Sequence, residues 1–317
     1  MLQSIHLQGF KGFKDTEVGP FRKVNLILGG QNVGKTSLLE AVYATAMLNP
    51  HDAGGLFRQN EGMDSSRFDK VYLHPKLFLG VLSAEERGLV LAAKDLHKAL
   101  MPMHVSGGIS YGEKSPLLKD SIKAWSVGFF QNVWICTAIP YFLPSQTRLV
   151  EIFGKVILGR KKKALIALLR AVDPRLESLD AIAPDGEHRV YAELDGLPQA
   201  IPLTLLGHGF SRLVYLFSEL LVSESQLALI DEVENGIHYS ALPTLFKGIK
   251  TVAQEGQVQS LITTHSWDAI RAACEVFEDT PELFQVIRLE RTDDNIKAVC
   301  IDGERMLRLM ARDMEVR

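Results

Sequence analysis

The sequence holds only three cysteines, Cys136, Cys274 and Cys300, far apart and without a C-x-x-C spacing. That argues against a disulfide framework or a thiolate zinc site and leaves reduced structural thiols as the expectation. It has no long apolar run. The most apolar stretch, "VWICTAIPYFLP" at 133–144, falls short of the roughly 20 residues a membrane helix needs, and prolines interrupt it. It reads as a buried strand and a turn. The start, "MLQSIHLQGFKGF", lacks a basic segment followed by an apolar block, so no signal peptide is expected. A large excess of one charge sign is missing too: 35 Lys and Arg against 38 Asp and Glu give a formal net charge of −3, and no global basic field to attract nucleic acid. A DNA contact would need a local patch. There is no internal repeat, no low-complexity linker, no Ser/His/Asp set, no zinc cluster and no guanine-reading N-K-x-D segment. The expectation is a cytoplasmic protein with no membrane partner.

What is present is an ordinary globular composition, 46% hydrophobic and 23% charged over 317 residues. "SIHLQGF" alternates as a strand does, and "KVNLILG" is the continuous apolar run of a buried one. "TSLLEAVYATAML" has helical spacing and stops before Asn49-Pro50. The region from His51 to about Gly80 is irregular, "AEERGLVLAAKDLHKAL" reads as a helix, and "HVSGGISYGEKSP" as a loop or short hairpin. "KKKALIALLRAV" reads as a helix, and "HRVYAEL" with the residues after "DGLP" as a hairpin. The last third alternates again. Helix "FSRLVYLFSELLVSE" precedes strand "LALIDE", and helix "SALPTLFKGIKTVAQ" precedes strand "QSLITTHS". Then come helix "WDAIRAACEVF", a hairpin over "LFQVIRLE" and "IKAVCID", and the closing helix "ERMLRLMARDMEVR". Strands alternating with helices at both ends of the chain predict one α/β sheet.

Four segments carry chemistry. Gly29-Gly30-Gln31-Asn32-Val33-Gly34-Lys35-Thr36 fits G-x-x-x-x-G-K-S/T between a strand and a helix, the pattern of a P-loop, with Ser37 following. Glycines let backbone N–H groups converge on phosphates, Lys35 neutralises the β/γ oxygens, Thr36 ligates Mg²⁺, and the helix start adds partial positive charge. "LALIDE" ends in Asp231, placed to hold the Mg²⁺ shell, and Glu232, placed to orient or deprotonate the attacking water. "SLITTHS" ends in His265, a candidate γ-phosphate sensor. "LLGHGFSRL" is a glycine-rich helix start suited to an anion. The run Arg160-Lys161-Lys162-Lys163 reads first as a solvated helix end and second as the best local candidate for a phosphate backbone. Asp293 and Asp294 read as turn residues.

The order P-loop, long insertion, glycine-rich helix start, acid pair and His strand resembles that of ABC ATPases. The chain is most similar in pattern to the SMC-like branch, and within it to ATPase heads of the OLD (overcoming lysogenisation defect) and RecF-like kind. "IHLQGFKGFKDTEVGPFRKVNLILGGQNVGKTSLLEAV" resembles the opening of those proteins, "DEVENGIH" their Walker B and D-loop segment, "TTHS" their switch histidine, and "LGHGFSR" their signature loop. There are departures. Gly207 stands near the place of the transporter signature serine, with Ser211 after it, and Val233 replaces the family proline. Gln59, Gln131 and Gln146 all remain open as the Q-loop glutamine. Past the helix "WDAIRAACEVF" that follows the switch strand only a hairpin and one helix remain, so a Toprim nuclease domain is not expected.

The resemblance implies an α/β P-loop NTPase of the ABC type spanning 1–317. Its core would be 1–50 and 200–280, with an insertion lobe over 51–199 and a C-terminal hairpin and helix over 281–317. It implies ATP and Mg²⁺ as cofactors and a head-to-tail homodimer closed by ATP. In that dimer Gly207, Gly209, Ser211 and Arg212 of one chain would face the nucleotide of the other. It also implies an effector or nuclease protein as partner, DNA as a candidate ligand, and a motor or sensor role in phage defence or DNA maintenance. The rivals are an ATP-clamped binding protein with little turnover and, further off, a transporter ATPase subunit.

Overall fold

A computed structural model describes residues 2–47, 78–84, 87–91, 136–184, 186–222, 227–255 and 258–312. The expectations for 51–77 and for "HVSGGISYGEKSP" lie outside these residues, as does the end of the last helix.

The chain forms β1 (Ser4–Phe10), β2 (Phe13–Val18), β3 (Val24–Leu28) and α1 (Lys35–Met47), then β4 (Phe78–Ala84), β5 (Arg87–Leu91) and β6 (Cys136–Ile139). Next come α2 (Gln146–Leu158), α3 (Lys162–Arg170), β7 (Leu176–Ile182), β8 (Arg189–Leu194), β9 (Ile201–Pro202) and α4 (His208–Val222). The last part holds β10 (Leu227–Ile230), α5 (Leu242–Glu255), β11 (Gln259–Thr263), α6 (Trp267–Val276), β12 (Phe284–Arg291), β13 (Ile296–Asp302) and α7 (Gly303–Met310).

Six strands form the central sheet in the order β13-β12-β3-β11-β10-β6. Neighbours from β12 to β6 run parallel, and β13 is antiparallel at one edge. Parallel strands covered on both faces need apolar residues on both. The two faces are visible in the residues. Val24, Leu26, Ala228, Ile230, Ile262 and Val286 join one core with α4, α5 and α6. Ile27, Leu227, Leu229, Leu261 and Ile287 join a second core with α1, β1 and β2. Period-two alternation therefore sorts the strands between two cores.

Three expectations change. The helix read over "AEERGLVLAAKDLHKAL" gives way, where the chain is described, to strand β5, antiparallel to β4. The single sheet becomes three, since β2-β1-β4-β5 and β7-β8-β9 form separate antiparallel sheets. The interval 51–199 also supplies β6, a strand of the central sheet, so it does not lie wholly outside the core. Helix α2, which the sequence reading did not resolve, starts on Ser145, whose hydroxyl accepts from the Arg148 N–H at 3.2 Å.

Candidate nucleotide site

The tips of β3, β11, β10 and β6 face one cleft of about 960 Å³, lined by Leu28 to Ser37, Tyr141, Asp231, Glu232, Thr264, His265 and Ile270. Because β11 lies between β3 and β10, its Thr263-Thr264-His265 tip falls between the P-loop and the acid pair. Every residue from Gly29 to Ser37, with Asp231, Glu232 and His265, is brought to this cleft.

The loop is held from below. A Cβ on Gly29 would lie 2.6 Å from Val33 and 2.7 Å from the Leu289 carbonyl, so only glycine fits between the turn and β12. Lys35 folds back over the loop, its ammonium donating to the carbonyls of Gly29 at 2.8 Å and Gly30 at 3.0 Å. Burial draws its pKa down, while Glu232, Asp231 and Glu234 push it up. Phosphate oxygens arriving in the cleft would take over these donors.

Asp231 is 1% exposed. Its two oxygens share the single proton of the Thr36 hydroxyl, at 3.1 and 3.2 Å, and Oδ1 also accepts from the Thr263 hydroxyl at 2.6 Å. Burial raises its pKa to about 6, against the lowering effect of the two threonines. A buried carboxylate facing a hydroxyl, both hard oxygen donors, fits a Mg²⁺ ion, which would relieve that desolvation cost. Among the described residues no group of three or more His, Cys, Asp or Glu could hold a metal.

Glu232 follows with φ 43°, an uncommon backbone for a residue with a side chain, and its N–H donates to Thr263 Oγ at 2.8 Å. Held strain beside a cleft marks a position whose side-chain direction matters. Two residues on, Glu234 grips the tip of β11. Its Oε1 accepts from the backbone N–H of His265 at 3.0 Å and of Ser266 at 3.1 Å.

The glycine-rich helix start behaves differently. None of Gly207, Gly209, Ser211 or Arg212 lines the cleft of its own chain. Gly207 is exposed, with open space where a Cβ would stand. Gly209 packs on the turn after the acid pair, where a Cβ would lie 2.4 Å from the Gly236 carbonyl. Ser211 and Arg212 do not fit the expected contact across a dimer. Ser211 is buried, its hydroxyl donating to Gly207 O at 3.1 Å. Arg212 is 1% exposed and donates inward, to the carbonyls of Pro140, of Phe142 at 3.1 Å and of Asp231 at 3.2 Å. The reason is burial on all sides: α4 is buried without a break from Phe210 to Leu220, so these two positions present no face to a second copy.

Tyr141, between two of those carbonyls, lines the cleft and was missed. No local pattern marks it. The signal was the apolar run before it, which could only be placed once β6 paired with β10. Gln146, a candidate Q-loop residue, is exposed at the start of α2 and does not line the cleft.

Known proteins bear on the fold and on the activity. The AAA ATPase domain family matches residues 161–270, which include α4, the acid pair and the switch strand but not the P-loop. A Helicobacter pylori protein named "ATP/GTP phosphatase" is 22% identical, covering 88% of this chain and 89% of its own length. The DNA replication and repair protein RecF of Idiomarina loihiensis is 38% identical over 58 residues, 18% of this chain and 16% of that one. The SMC head domain from Thermotoga maritima superposes with TM-score 0.52 at 15% identity, covering 95% of this chain and 99% of that one. An SMC head bound to the C-winged helix domain of ScpA also gives 0.52, at 14% identity, with 97% and 99% covered. Fold, cleft and relatives converge: the chain is a P-loop ATPase with the fold of an SMC head.

Proposed function

We propose that the chain binds Mg²⁺-ATP in the cleft and hydrolyses it in a homodimer whose two sites each need both copies. One observation carries the nucleotide reading: Thr36 and Asp231 meet at 3.1 and 3.2 Å in a cleft that also holds Lys35, Glu232 and His265. Lys35 and the loop N–H groups bind the phosphates. Thr36 and Asp231 would hold the cation, which would offset phosphate charge. Glu232 orients and deprotonates water, and His265 contacts the terminal phosphate.

The dimer reading is supported by what the chain's own cleft leaves unused. Gly207 and His208 are exposed beside the turn at Gly236, and Leu205 (69% exposed) and Tyr239 (64%) stand out on the same segments. Large exposed apolar side chains around an anion-suited helix start favour a second copy as occupant. A motor or sensor role with an effector protein, in phage defence or DNA maintenance, is the finer reading. DNA, if engaged, would meet the exposed Arg160, Lys161 and Lys163, whereas Lys162 pairs with Asp180 at 2.5 Å. Among the described residues no helix is long and apolar enough to cross a membrane.

The test is Glu232→Gln with Mg²⁺ and ATP. An amide cannot take the water's proton, so turnover should fall at least about a hundredfold while ATP stays bound. Light scattering should then show a dimer that wild type forms only transiently. Wild-type turnover in the variant would remove Glu232 as base, and a monomer with ATP bound would remove the composite site.

A further inference from the structure

We propose that Glu234 is the positioning residue of His265: it fixes both the backbone under the histidine and the orientation of its ring. This rests on the ATPase reading of the cleft. Glu234 lies at the turn after β10, and His265 at the tip of β11, so the contact ties two strand ends 31 residues apart in sequence. One carboxylate oxygen, Oε1, serves three groups. It accepts from His265 N–H at 3.0 Å and Ser266 N–H at 3.1 Å, and it stands 3.4 Å from His265 Nδ1.

The two backbone bonds anchor the loop just ahead of α6, whose cap is the Ser266 hydroxyl accepting from Ala269 N–H at 3.3 Å. The third contact acts on the ring. A carboxylate beside Nδ1 holds a proton there and turns Nε2 to the cleft, where the ring meets a phosphate oxygen as a donor once Nε2 carries a proton too. The side chain of Glu234 is 12% exposed against 62% for His265, so the acid is fixed inside while the ring reaches solvent. The other oxygen, Oε2, is buried without a hydrogen-bond partner among the described residues. A buried carboxylate oxygen left unsatisfied is costly to keep. Anchoring the two N–H groups alone would not require a charge, since an amide oxygen can accept both bonds, though more weakly than a carboxylate. The charge has a use in fixing the ring.

Glu234→Gln separates the two roles, because its amide oxygen keeps both backbone bonds while the charge is lost. The expected result is an unchanged melting temperature, ATP affinity within about twofold by calorimetry, and kcat lower by about tenfold, the scale of one lost orienting interaction. In a His265→Ala background the same substitution should cost nothing further, since there is no ring left to orient. Histidine ¹⁵N NMR, with the His265 signal identified by its loss in His265→Ala, should show the Nδ1–H tautomer in wild type and a mixture in Glu234→Gln. An equal kcat loss in both backgrounds, or a tautomer that ignores the substitution, overturns the inference. A wild type without turnover would overturn the ATPase reading instead, and the NMR result would still decide the role of Glu234.

Discussion

Arg212 is a costly residue to bury, 1% exposed and charged. Burial pulls its pKa down to about 10 in spite of the neighbouring acids, and its Nε lacks a hydrogen-bond partner among the described residues. What it holds explains the expense. Pro140 and Phe142 flank Tyr141 on one wall of the cleft, and the Asp231 carbonyl belongs to the residue that faces Thr36. One guanidinium from α4 therefore sets the spacing of two strand tips. Removing it takes the donor from two buried carbonyls, those of Pro140 and Asp231, and from the part-buried one of Phe142. Arg212→Met should lower stability by about 3 kcal/mol in urea unfolding, because a lost buried partner costs about 1–3 kcal/mol for each group stranded. A loss under about 0.5 kcal/mol, the range of ordinary surface changes, would mean the carbonyls find water and the clamp is dispensable. The role was not legible in the sequence, where Arg212 looked like part of a contact across a dimer.

At the scale of elements, the β12–β13 hairpin acts as a brace for the P-loop. Asn295 in its turn accepts from Lys14 N–H at 2.9 Å, Asp15 N–H at 3.4 Å and the Thr16 hydroxyl at 3.0 Å, and donates to Asp15 O at 2.7 Å. Arg291 reaches the Asn32 carbonyl at 3.4 Å, and the Leu289 carbonyl lies under Gly29. Asn295→Ala should therefore destabilise by roughly 2 kcal/mol and also weaken ATP binding by roughly fivefold, although it touches no cleft residue. Calorimetry reads both, and full affinity with lost stability would show that the brace ends at β2. Aspartates 293 and 294 fall in this turn, where Thr292 N–H donates to Asn295 O at 2.8 Å, as their placement between two strands implied. Elements with strong local periodicity were legible: β1 over "SIHLQGF" and α6 within "WDAIRAACEVF" stand where the pattern put them. "RGLVL" was not, because a short apolar run beside charged residues fits either period, and pairing with β4 decided it. The P-loop was legible because its chemistry needs consecutive residues. Tyr141 and the two-strand grip of Glu234 were not, because they exist only after β6, β10 and β11 are adjacent.

For the whole molecule, the central sheet gathers four strand tips at one cleft and leaves the glycine-rich helix start outside it. The arrangement places phosphate donors, cation ligands and an acid in one copy and an unused anion-suited surface beside them. All of this depends on the cleft holding Mg²⁺-ATP. The most direct measurement is a calorimetric titration of ATP with Mg²⁺ into wild type and Lys35→Ala. The account predicts one ATP bound per chain in wild type, and an affinity at least about a hundredfold weaker in the variant, roughly 3 kcal/mol for a lost charge-assisted contact. Equal affinity in the two proteins, or no binding by wild type, would contradict it.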